Sequence, residues 1–262
     1  MLQQCLDALR NPDDDVRLDG IYDLSDLVDN SFGDNGRVLG ELLRQDGGVH
    51  ALAACLSDPL PDIKLQSLVV LGNVCSDSVD EDSTKTKMLL LSTGAVQPLL
   101  ACLSEDDDDV LMMVCAVLQN LLTEPAWAAL TIANRVEPQL EDLLKHDNPQ
   151  IVRYASGALK NLIASAKGGG GVPPKLSESA WEVVQKREIE HFVQKFREMR
   201  AMRLMKRAVI ARMARKRSAG LPMEEPAAGA LQPAVDILRL ETPEQAPPTP
   251  LTAESYEATP TR

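Results

Sequence analysis

The sequence predicts an all-α fold: an α-solenoid of about four stacked repeats, then a long basic amphipathic helix, then a disordered tail. Similar segments recur every 40 to 47 residues across the first 167 positions, a period typical of helical repeat arrays. Apolar residues make up 44% of the 262 residues, whereas aromatic residues make up only 3%. This composition favours cores of Leu, Val and Ala between packed helices over sheets.

The repeat is visible at matched positions of four segments. In the first three segments, corresponding residues are separated by 47 positions, and the fourth copy follows the third after 40 or 41. One segment of this length cannot bury its own apolar stripes, so we expect stacked copies to bury them against one another. The matched sets include Val16, Ile63 and Val110, then Leu24, Leu71 and Leu118, and then Asn120 with Asn161.

Each complete copy is predicted to contain three helices. In the third copy a short helix ends before Gly94, a second helix follows, and the acidic loop Glu105–Asp109 precedes a third helix that begins at Val110. The loop carboxylates suit the positive N-terminal end of that helix, which favours a capping role over a divalent-metal site. The first copy lacks the short helix and has Asp26 where later copies have Asn. We therefore expect it to be an N-terminal cap or a truncated start.

Three runs carry a resemblance to a known repeat. They are DGGVHALAACLSDPLPDIKLQSLVVLGNV, TGAVQPLLACLSEDDDDVLMMVCAVLQNLL and NPQIVRYASGALKNL. They resemble the armadillo repeat, whose G-A-V-x-x-L-x-x-L-L start and A-x-x-A-L-x-N-L finish they match. The resemblance covers about residues 1 to 166 and is weak in the first copy. It implies a right-handed superhelix with one concave wall that serves as a binding surface.

An asparagine recurs near the end of the third helix of copies two to four. Asn is not favoured inside helices, so its recurrence at one register indicates a specific role. In proteins that this chain resembles, the Asn projects into the concave groove and hydrogen-bonds the backbone of an extended peptide. The alternative is that these side chains only tie neighbouring units together. The predicted groove residues are Asn73, Asn120 and Asn161, with Val69, Ala116 and Gly157 one turn earlier and Gln66, Met113 and Tyr154 about two turns earlier.

One departure from the family limits what the groove is expected to bind. Importin-α proteins place Trp one turn before the Asn, so we do not expect this chain to bind import signals by that mechanism. Residues 1–167 carry 12 basic and 27 acidic residues, a net charge of −15. This charge favours a protein partner with a basic or extended segment, mainly through electrostatic steering, and it argues against nucleic acid or anionic lipid.

Nothing in the sequence predicts catalysis, a cofactor, a metal site or a small-molecule substrate. The three histidines, His50, His146 and His191, occupy unrelated positions, and no phosphate-binding, dinucleotide-binding, zinc-protease or nucleophile-elbow motif is present. The five cysteines include no CxxC pair, which predicts buried thiols in a reducing compartment. Because the N-terminus lacks a signal-peptide pattern, we expect a cytoplasmic or nuclear location, or both.

Changes in composition predict four segments along the chain. Glycines and a proline pair follow the array and predict a hinge. The next segment has helical periodicity, with capping-box spacing between Ser179 and Glu182. The last segment contains eight prolines and few large apolar residues, which predicts disorder. The predicted boundaries are 1–167 for the repeat array, 168–175 for the hinge, 176–218 for the basic amphipathic helix and 219–262 for the tail.

The basic helix has three predicted uses. Residues 195–217 contain ten basic residues and one acidic residue, and an apolar stripe runs along the helix from Trp181 to Met213. The helix is expected to cap or regulate the array, to bind a calmodulin-like protein, or to adsorb to anionic lipid or nucleic acid. In the calmodulin alternative, residues 189–213 are the functional element. The anchors would then be Phe192, Phe196, Met199 and Met205.

The sequence as a whole predicts a non-catalytic adaptor or scaffold. Its concave armadillo surface is expected to hold a partner polypeptide, and its basic helix to cap or regulate that surface. The alternative function is that of a target for a calmodulin-like protein, in which the repeats only present the basic helix.

Overall fold

The structure is a computed structural model that describes residues 1–31 and 33–187. These residues form eleven complete α-helices, a further helical segment at 178–187 and no strand, which confirms the predicted all-α class. The helices are α1 (Leu2–Ala8), α2 (Asp14–Asp29), α3 (Asp34–Gln45), α4 (Gly48–Cys55), α5 (Pro61–Val74), α6 (Ser83–Ser92), α7 (Val96–Ala101), α8 (Asp108–Leu121), α9 (Pro125–Ala133), α10 (Glu137–Leu143) and α11 (Pro149–Gly168).

The helices group into the four predicted repeats. Among the described residues, repeat 1 contains α1 and α2. Repeats 2, 3 and 4 contain α3 to α5, α6 to α8, and α9 to α11, and a 3-10 turn (Cys102–Ser104) extends α7. The third helices pack in sequence, with α5 against α2, α8 against α5 and α11 against α8. We call these four helices the third-helix row. One apolar core runs through all four repeats.

The break between the first and second helices needs a left-handed backbone. Gly47 has a φ of 76° between α3 and α4, and Gly94 has a φ of 82° between α6 and α7. Glycine adopts this conformation without the Cβ clash that other residues incur. In repeat 4 the corresponding position is Arg135, with a φ of 55°. This explains the glycine break that the sequence shows in copies two and three.

Side-chain caps begin three of the four third helices. An Asp13 oxygen accepts hydrogen bonds from the first backbone amides of α2, and Asp107 does the same for α8. Asn148 caps α11 through the amide of Gln150, at 3.0 Å. The predicted capping role of the acidic loop is therefore confirmed. Helix α5 has no such cap and begins instead with Pro61, whose missing N–H suits the first helical turn.

Ionic contacts that the sequence does not reveal connect the first helices of successive repeats. Arg44 on α3 donates to the Asp80 carboxylate at 2.6 Å and to the Thr86 hydroxyl at 2.7 Å. The Asp80 side chain is almost fully buried, and any side chain at Gly40 would overlap it. Because an unpaired buried charge is costly, this network ties repeat 2 to repeat 3.

A buried lysine makes the equivalent connection between repeats 3 and 4. Lys87 is only 1% exposed, and its ammonium group donates to Asp77 at 2.8 Å and to Thr123 at 3.0 Å. The indole of Trp127 in repeat 4 donates to the Lys87 carbonyl at 2.8 Å. Although partial burial opposes it, hydrogen bonds from Lys87 and Ser83 hold the pKa of Asp77 below its usual range.

A further helical segment packs against the end of the array. Residues 178–187 are helical, and Ala180 and Val184 are buried in the shared core. The cap of this helix is Ser177 and not the predicted Ser179, because the Ser177 hydroxyl accepts from the Ala180 amide at 3.3 Å. Ser177 also donates to Glu141 on α10 at 2.7 Å, which fixes the start of the helix. The rest of the predicted basic helix and the predicted tail lie outside the described residues.

The described residues were also compared with the expectations for cysteines, metal sites and membrane-spanning helices. All five cysteines are free and buried, and burial raises the thiol pKa of Cys75 and Cys115 to about 12. Within residues 1–31 and 33–187, no three His, Cys, Asp or Glu side chains are placed to hold a metal ion. No single helix there is long and apolar enough to cross a membrane. Ser83–Ser92 and Val96–Ser104 meet those limits only as a pair, bent by 96°.

Candidate peptide-binding groove

The nine predicted groove residues lie on three adjacent helices of the third-helix row. Each helix carries one residue from each predicted set, and all nine residues are partly exposed. The apolar residues on the opposite faces of these helices are buried in the core. The row therefore presents nine accessible positions on one side and a packed core on the other. They are Gln66, Val69 and Asn73 on α5, Met113, Ala116 and Asn120 on α8, and Tyr154, Gly157 and Asn161 on α11.

Each of the three asparagines donates a hydrogen bond to the preceding repeat. The amide nitrogen of Asn161 donates to the Gln119 carbonyl at 2.7 Å, and that of Asn120 donates to the Gly72 carbonyl at 2.9 Å. Asn73 donates to the Asp29 carboxylate at 2.9 Å. Carbonyl and carboxylate oxygens only accept here, so each Asn must present its NH2 group to them. The contacts expected from the inter-repeat alternative are therefore present.

These contacts leave the other half of each side-chain amide available. Among the described residues, none donates a hydrogen bond to the side-chain oxygen of Asn73, Asn120 or Asn161. An Asn side chain can donate two hydrogen bonds and accept two. Each asparagine can thus bond the preceding repeat and still accept a hydrogen bond from a bound backbone. The two roles considered for these residues are compatible.

The positions one turn before the asparagines differ in what covers them. Val69 and Ala116 leave a shallow apolar surface beside their asparagines. At Gly157 the space is occupied by Gln119 of the preceding repeat, whose side-chain amide would overlap any Cβ at that position. The sequence analysis missed Gln119. Gln119 directly precedes Asn120, and the equivalent positions in repeats 2 and 4 are Gly72 and Lys160. This variation in residue type at one register was the signal that the sequence offered.

The positions two turns before the asparagines carry larger side chains. Met113 reaches across α5, and its terminal methyl would lie 3.8 Å from a Cβ placed at Gly72. In repeat 4 the guanidinium of Arg153 lies 5.7 Å from the centre of the Tyr154 ring, within cation–π range. The groove surface is therefore partly aromatic at its repeat 4 end.

Repeat 1 presents a different set of side chains at the same register. Asp26 replaces the asparagine, Tyr22 stands one turn before it, and Asp19 stands two turns before it. Tyr22 is 45% exposed, and Asp19 and Asp26 are also exposed. The sequence analysis noted Asp26 but did not identify the other two as groove residues, because the weak first copy was not aligned that far.

Charge changes sign along the third-helix row. Helix α2 contains six aspartates and one arginine, whereas α11 contains three basic residues and no acidic residue. The arginine of α2, Arg17, is directed toward repeat 2, where it donates to Asp58 at 2.9 Å. Helices α5 and α8 carry acidic residues only in their first turns. The row is therefore acidic at the repeat 1 end and basic at the repeat 4 end.

The predicted anchors for a calmodulin-like protein, Phe192, Phe196, Met199 and Met205, lie outside the described residues. The described part of the predicted basic helix stops at Arg187. Its buried residues, Ala180 and Val184, contact the array core and belong to the same unit. The structure thus places only the beginning of that helix.

Comparisons with known proteins agree with this architecture. The family model of the Armadillo/beta-catenin-like repeat matches residues 83–123. The designed armadillo repeat protein YIII(Dq)4CqI is 16% identical, with a TM-score of 0.55 over 71% of this chain and 79% of that chain. A second designed armadillo repeat protein, YIII(Dq.V1)4CPAF in complex with the peptide (KR)4, is 14% identical, with a TM-score of 0.55 over 71% and 80%.

A third similar structure is one of the computationally designed armadillo repeat proteins for modular peptide recognition. It is 17% identical to this chain, with a TM-score of 0.55 over 71% of this chain and 80% of that chain. A search of curated protein sequences finds no match. At these identities the structural comparisons establish the fold, and the family model places one armadillo repeat at the third copy.

Proposed function

Because this chain is an armadillo-repeat protein, we propose that it is a non-catalytic adaptor that holds an extended segment of a partner protein against its third-helix row. The armadillo solenoid is typically a binding scaffold without enzymatic activity. The observation that carries the proposal is the set of three partly exposed asparagines, Asn73, Asn120 and Asn161. Each has its amide nitrogen fixed by the preceding repeat and its carbonyl oxygen open.

An extended peptide is the ligand that matches this arrangement. Its backbone presents N–H donors at regular intervals, and these need acceptors when the peptide leaves water. Acceptors repeated on adjacent helices supply such partners without reading the peptide sequence. The side chains at the two earlier turns then contact the peptide side chains and determine which sequence binds.

The comparisons and the charge support a partner of this kind. One designed neighbour is described in complex with the peptide (KR)4 and another as made for modular peptide recognition. The net charge of −15 over residues 1–167 would attract a basic segment and accelerate its association at low ionic strength. The pairing would therefore weaken as salt is added.

A display selection tests the proposal. A library of random linear dodecapeptides is selected against the full-length chain, and the affinities of the enriched peptides are then measured by fluorescence anisotropy. We expect Asn73→Ala combined with Asn120→Ala to weaken binding roughly tenfold, because two hydrogen bonds to the peptide backbone are lost. Asn134→Ala is the matched control, because Asn134 lies at the end of α9, outside the row.

The controls separate binding from folding. Both variants are compared with the parent chain by circular dichroism and thermal unfolding, since the double variant also loses its two bonds between repeats. Peptides that bind the double variant as tightly as the parent chain would contradict the proposed groove. A selection that enriches no peptide would contradict it as well.

Two further inferences belong with this proposal. We infer a cytoplasmic or nuclear location, which is supported by the five free and buried thiols. The binding of a calmodulin-like protein to residues 189–213 stays a prediction from sequence. Calcium-dependent capture that is lost in Phe192→Ala combined with Phe196→Ala would support it.

A further inference from the structure

The open side of repeat 1 differs from the buried faces of the other repeats. Val16 is 37% exposed, whereas its counterparts Ile63 and Ile151 are fully buried against the preceding repeat. Asp23 occupies the register at which the later repeats have Val70, Val117 and Ala158, all fully buried. A position that is apolar and covered in three repeats is therefore charged and open in the first.

A cavity lies on this open side, between α1 and α2. It has a volume of about 240 Å³, more than the side chain of one lysine or arginine occupies. Its walls combine apolar side chains, backbone exposed at a glycine, and two carboxylates. They are Met1, Gln4, Cys5 and Ala8 from α1 and Val16, Asp19, Gly20 and Asp23 from α2.

Neither carboxylate of the cavity forms an ion pair in the described part of the chain, although the N-terminal ammonium of Met1, another cavity residue, is close enough to oppose the rise in the pKa of Cys5. Asp19 and Asp23 stand one helical turn apart, and neither makes a hydrogen bond or an ion pair with residues 1–31 or 33–187. By contrast, Asp14 on the same helix is paired with Arg17 at 2.7 Å. Burial raises the pKa of the Cys5 thiol, and the negative charge of Asp23 raises it further. Cys5 therefore adds an uncharged wall to an anionic cavity.

One residue of the cavity also has the register of the proposed groove. Asp19 has the register of Gln66, Met113 and Tyr154, so it belongs both to the cavity wall and to the surface that follows the third-helix row. Tyr22, which is exposed, lies on the groove side of Asp19, and Asp23 lies on the opposite side. A segment lying along the row would reach the cavity at the repeat 1 end.

We propose that this cavity binds a lysine or arginine side chain of the segment that occupies the groove. The inference rests on the proposed function and adds a direction to it, since the cationic end of the segment lies at repeat 1. The aliphatic stem would pack against Ala8, Val16 and Met1, and the cationic head would pair with Asp19 and Asp23. Long basic side chains bury their stems along apolar surface in this way.

The test uses the full-length chain and two labelled octapeptides. One is (KR)4, and the other replaces each lysine by norleucine and each arginine by citrulline, which keeps the stems and removes the charge. Anisotropy at an ionic strength of about 0.15 M, where the Debye length is about 8 Å, gives both affinities. We expect Asp19→Asn combined with Asp23→Asn to weaken (KR)4 binding roughly five- to tenfold. The uncharged peptide should be unaffected.

A matched variant controls for net charge. Asp106→Asn combined with Asp109→Asn removes the same charge from the exposed acidic loop and should change (KR)4 binding by less than about twofold, because distant charges are screened. The position of the ligand is read from methyl NMR signals, with Ala8 and Val16 expected to shift on addition of (KR)4. Equal effects of the two variants, or no saturable binding of (KR)4, would overturn the proposal. Repeat 1 would then be only a polar end cap.

The outcomes distinguish this inference from the proposed function. If Asn73→Ala with Asn120→Ala weakens both octapeptides while the cavity variant has no effect, the groove stands and the cavity proposal fails. If only the cavity variant weakens (KR)4, the cavity binds a basic side chain, but the groove and the direction assigned to the segment both fail. The two pairs of substitutions lie on different helices, so their effects can be measured separately.

Discussion

Repeat 1 and repeats 2 to 4 align position by position, but equivalent faces of their helices differ in burial and in residue type. In repeats 2 to 4, Ile63, Val110 and Ile151 are buried, whereas Val16 of repeat 1 is 37% exposed. The later repeats carry asparagine at the groove position, whereas repeat 1 carries Asp26. A face that packs against another repeat must be apolar, whereas an exposed face can carry charged residues.

The comparison also explains the distribution of connections between repeats. Among the described residues, repeat 1 connects to repeat 2 through α2, Arg17 and the core. Repeats 2 to 4 are connected along two rows, the third helices and the first helices with their buried ionic networks. Interior repeats are therefore expected to be much more sensitive to substitution than repeat 1.

The largest expected effect is at the ionic network between repeats 2 and 3. Arg44→Leu leaves the buried Asp80 carboxylate without its main partner, and we expect a loss of about 3 to 5 kcal/mol in the free energy of unfolding. Arg37→Leu on the same helix is the control, because its pair with Glu81 is long and exposed. It should cost less than about 1 kcal/mol. Urea unfolding measures both. Similar losses would show that Asp80 finds another partner.

The next effect compares the same register in two repeats. Ile63→Ala removes a fully buried side chain and should lower the free energy of unfolding by about 2 to 5 kcal/mol. Val16→Ala, at the open end, should lower it by about 0.5 kcal/mol or less. Urea unfolding of both variants provides the comparison. If Val16→Ala costs as much as Ile63→Ala, then another part of the protein covers the open side of repeat 1.

A smaller effect of opposite sign is expected at two glycines of the third-helix row. At Gly72 an added Cβ would meet only ordinary contacts, 3.7 Å from Val117 and 3.8 Å from Met113. Gly72→Ala should therefore raise the free energy of unfolding by about 0.5 to 1 kcal/mol through helix propensity. Gly157→Ala should gain less, because Gln119 must first move. A gain at Gly157 equal to that at Gly72 would show that Gln119 moves at no cost.

The smallest effect is a dependence on pH at the connection between repeats 3 and 4. The folded-state pKa of Asp77 lies below its ordinary value of 3.8, so its contribution is present above that value and is lost as the pH falls through the folded-state pKa. Asp77→Asn should therefore flatten the loss of stability below about pH 4. Urea unfolding at pH 6 and pH 3 measures this. Asp106→Asn is the charge control, and the same flattening in both would contradict the role of Asp77.

Much of the fold could be predicted, because a sequence period of 40 to 47 residues indicates helical repeats that stack on one another. The helices and the side of the row that carries the asparagines both follow from spacing. Contacts across repeats could not be predicted, because they join residues about 36 to 48 positions apart. Lys87 illustrates the limit: the sequence shows a lysine in a helix, and only the structure shows that it is buried.

In the candidate groove, too, the sequence predicted the positions of residues but not their contacts across repeats. The register placed Asn120 and Asn161 correctly on adjacent helices, but it could not show that their amide nitrogens are bonded to the helix before them. It also could not show that Gln119 lies over Gly157, because that contact depends on a side-chain rotamer. The cap at Ser177 instead of Ser179 reflects the contact with Glu141, which is distant in sequence.

The asparagine bonds have a mechanical consequence. Asn161 bonds the residue just before Asn120, Asn120 bonds the residue just before Asn73, and Asn73 bonds Asp29. The three hydrogen bonds therefore connect the four helices of the third-helix row one after another, each joining a helix to the one before it. Any change in the superhelical twist between two repeats must stretch one of them. The side chains proposed to bind a peptide backbone are thus the same ones that connect each repeat to the next.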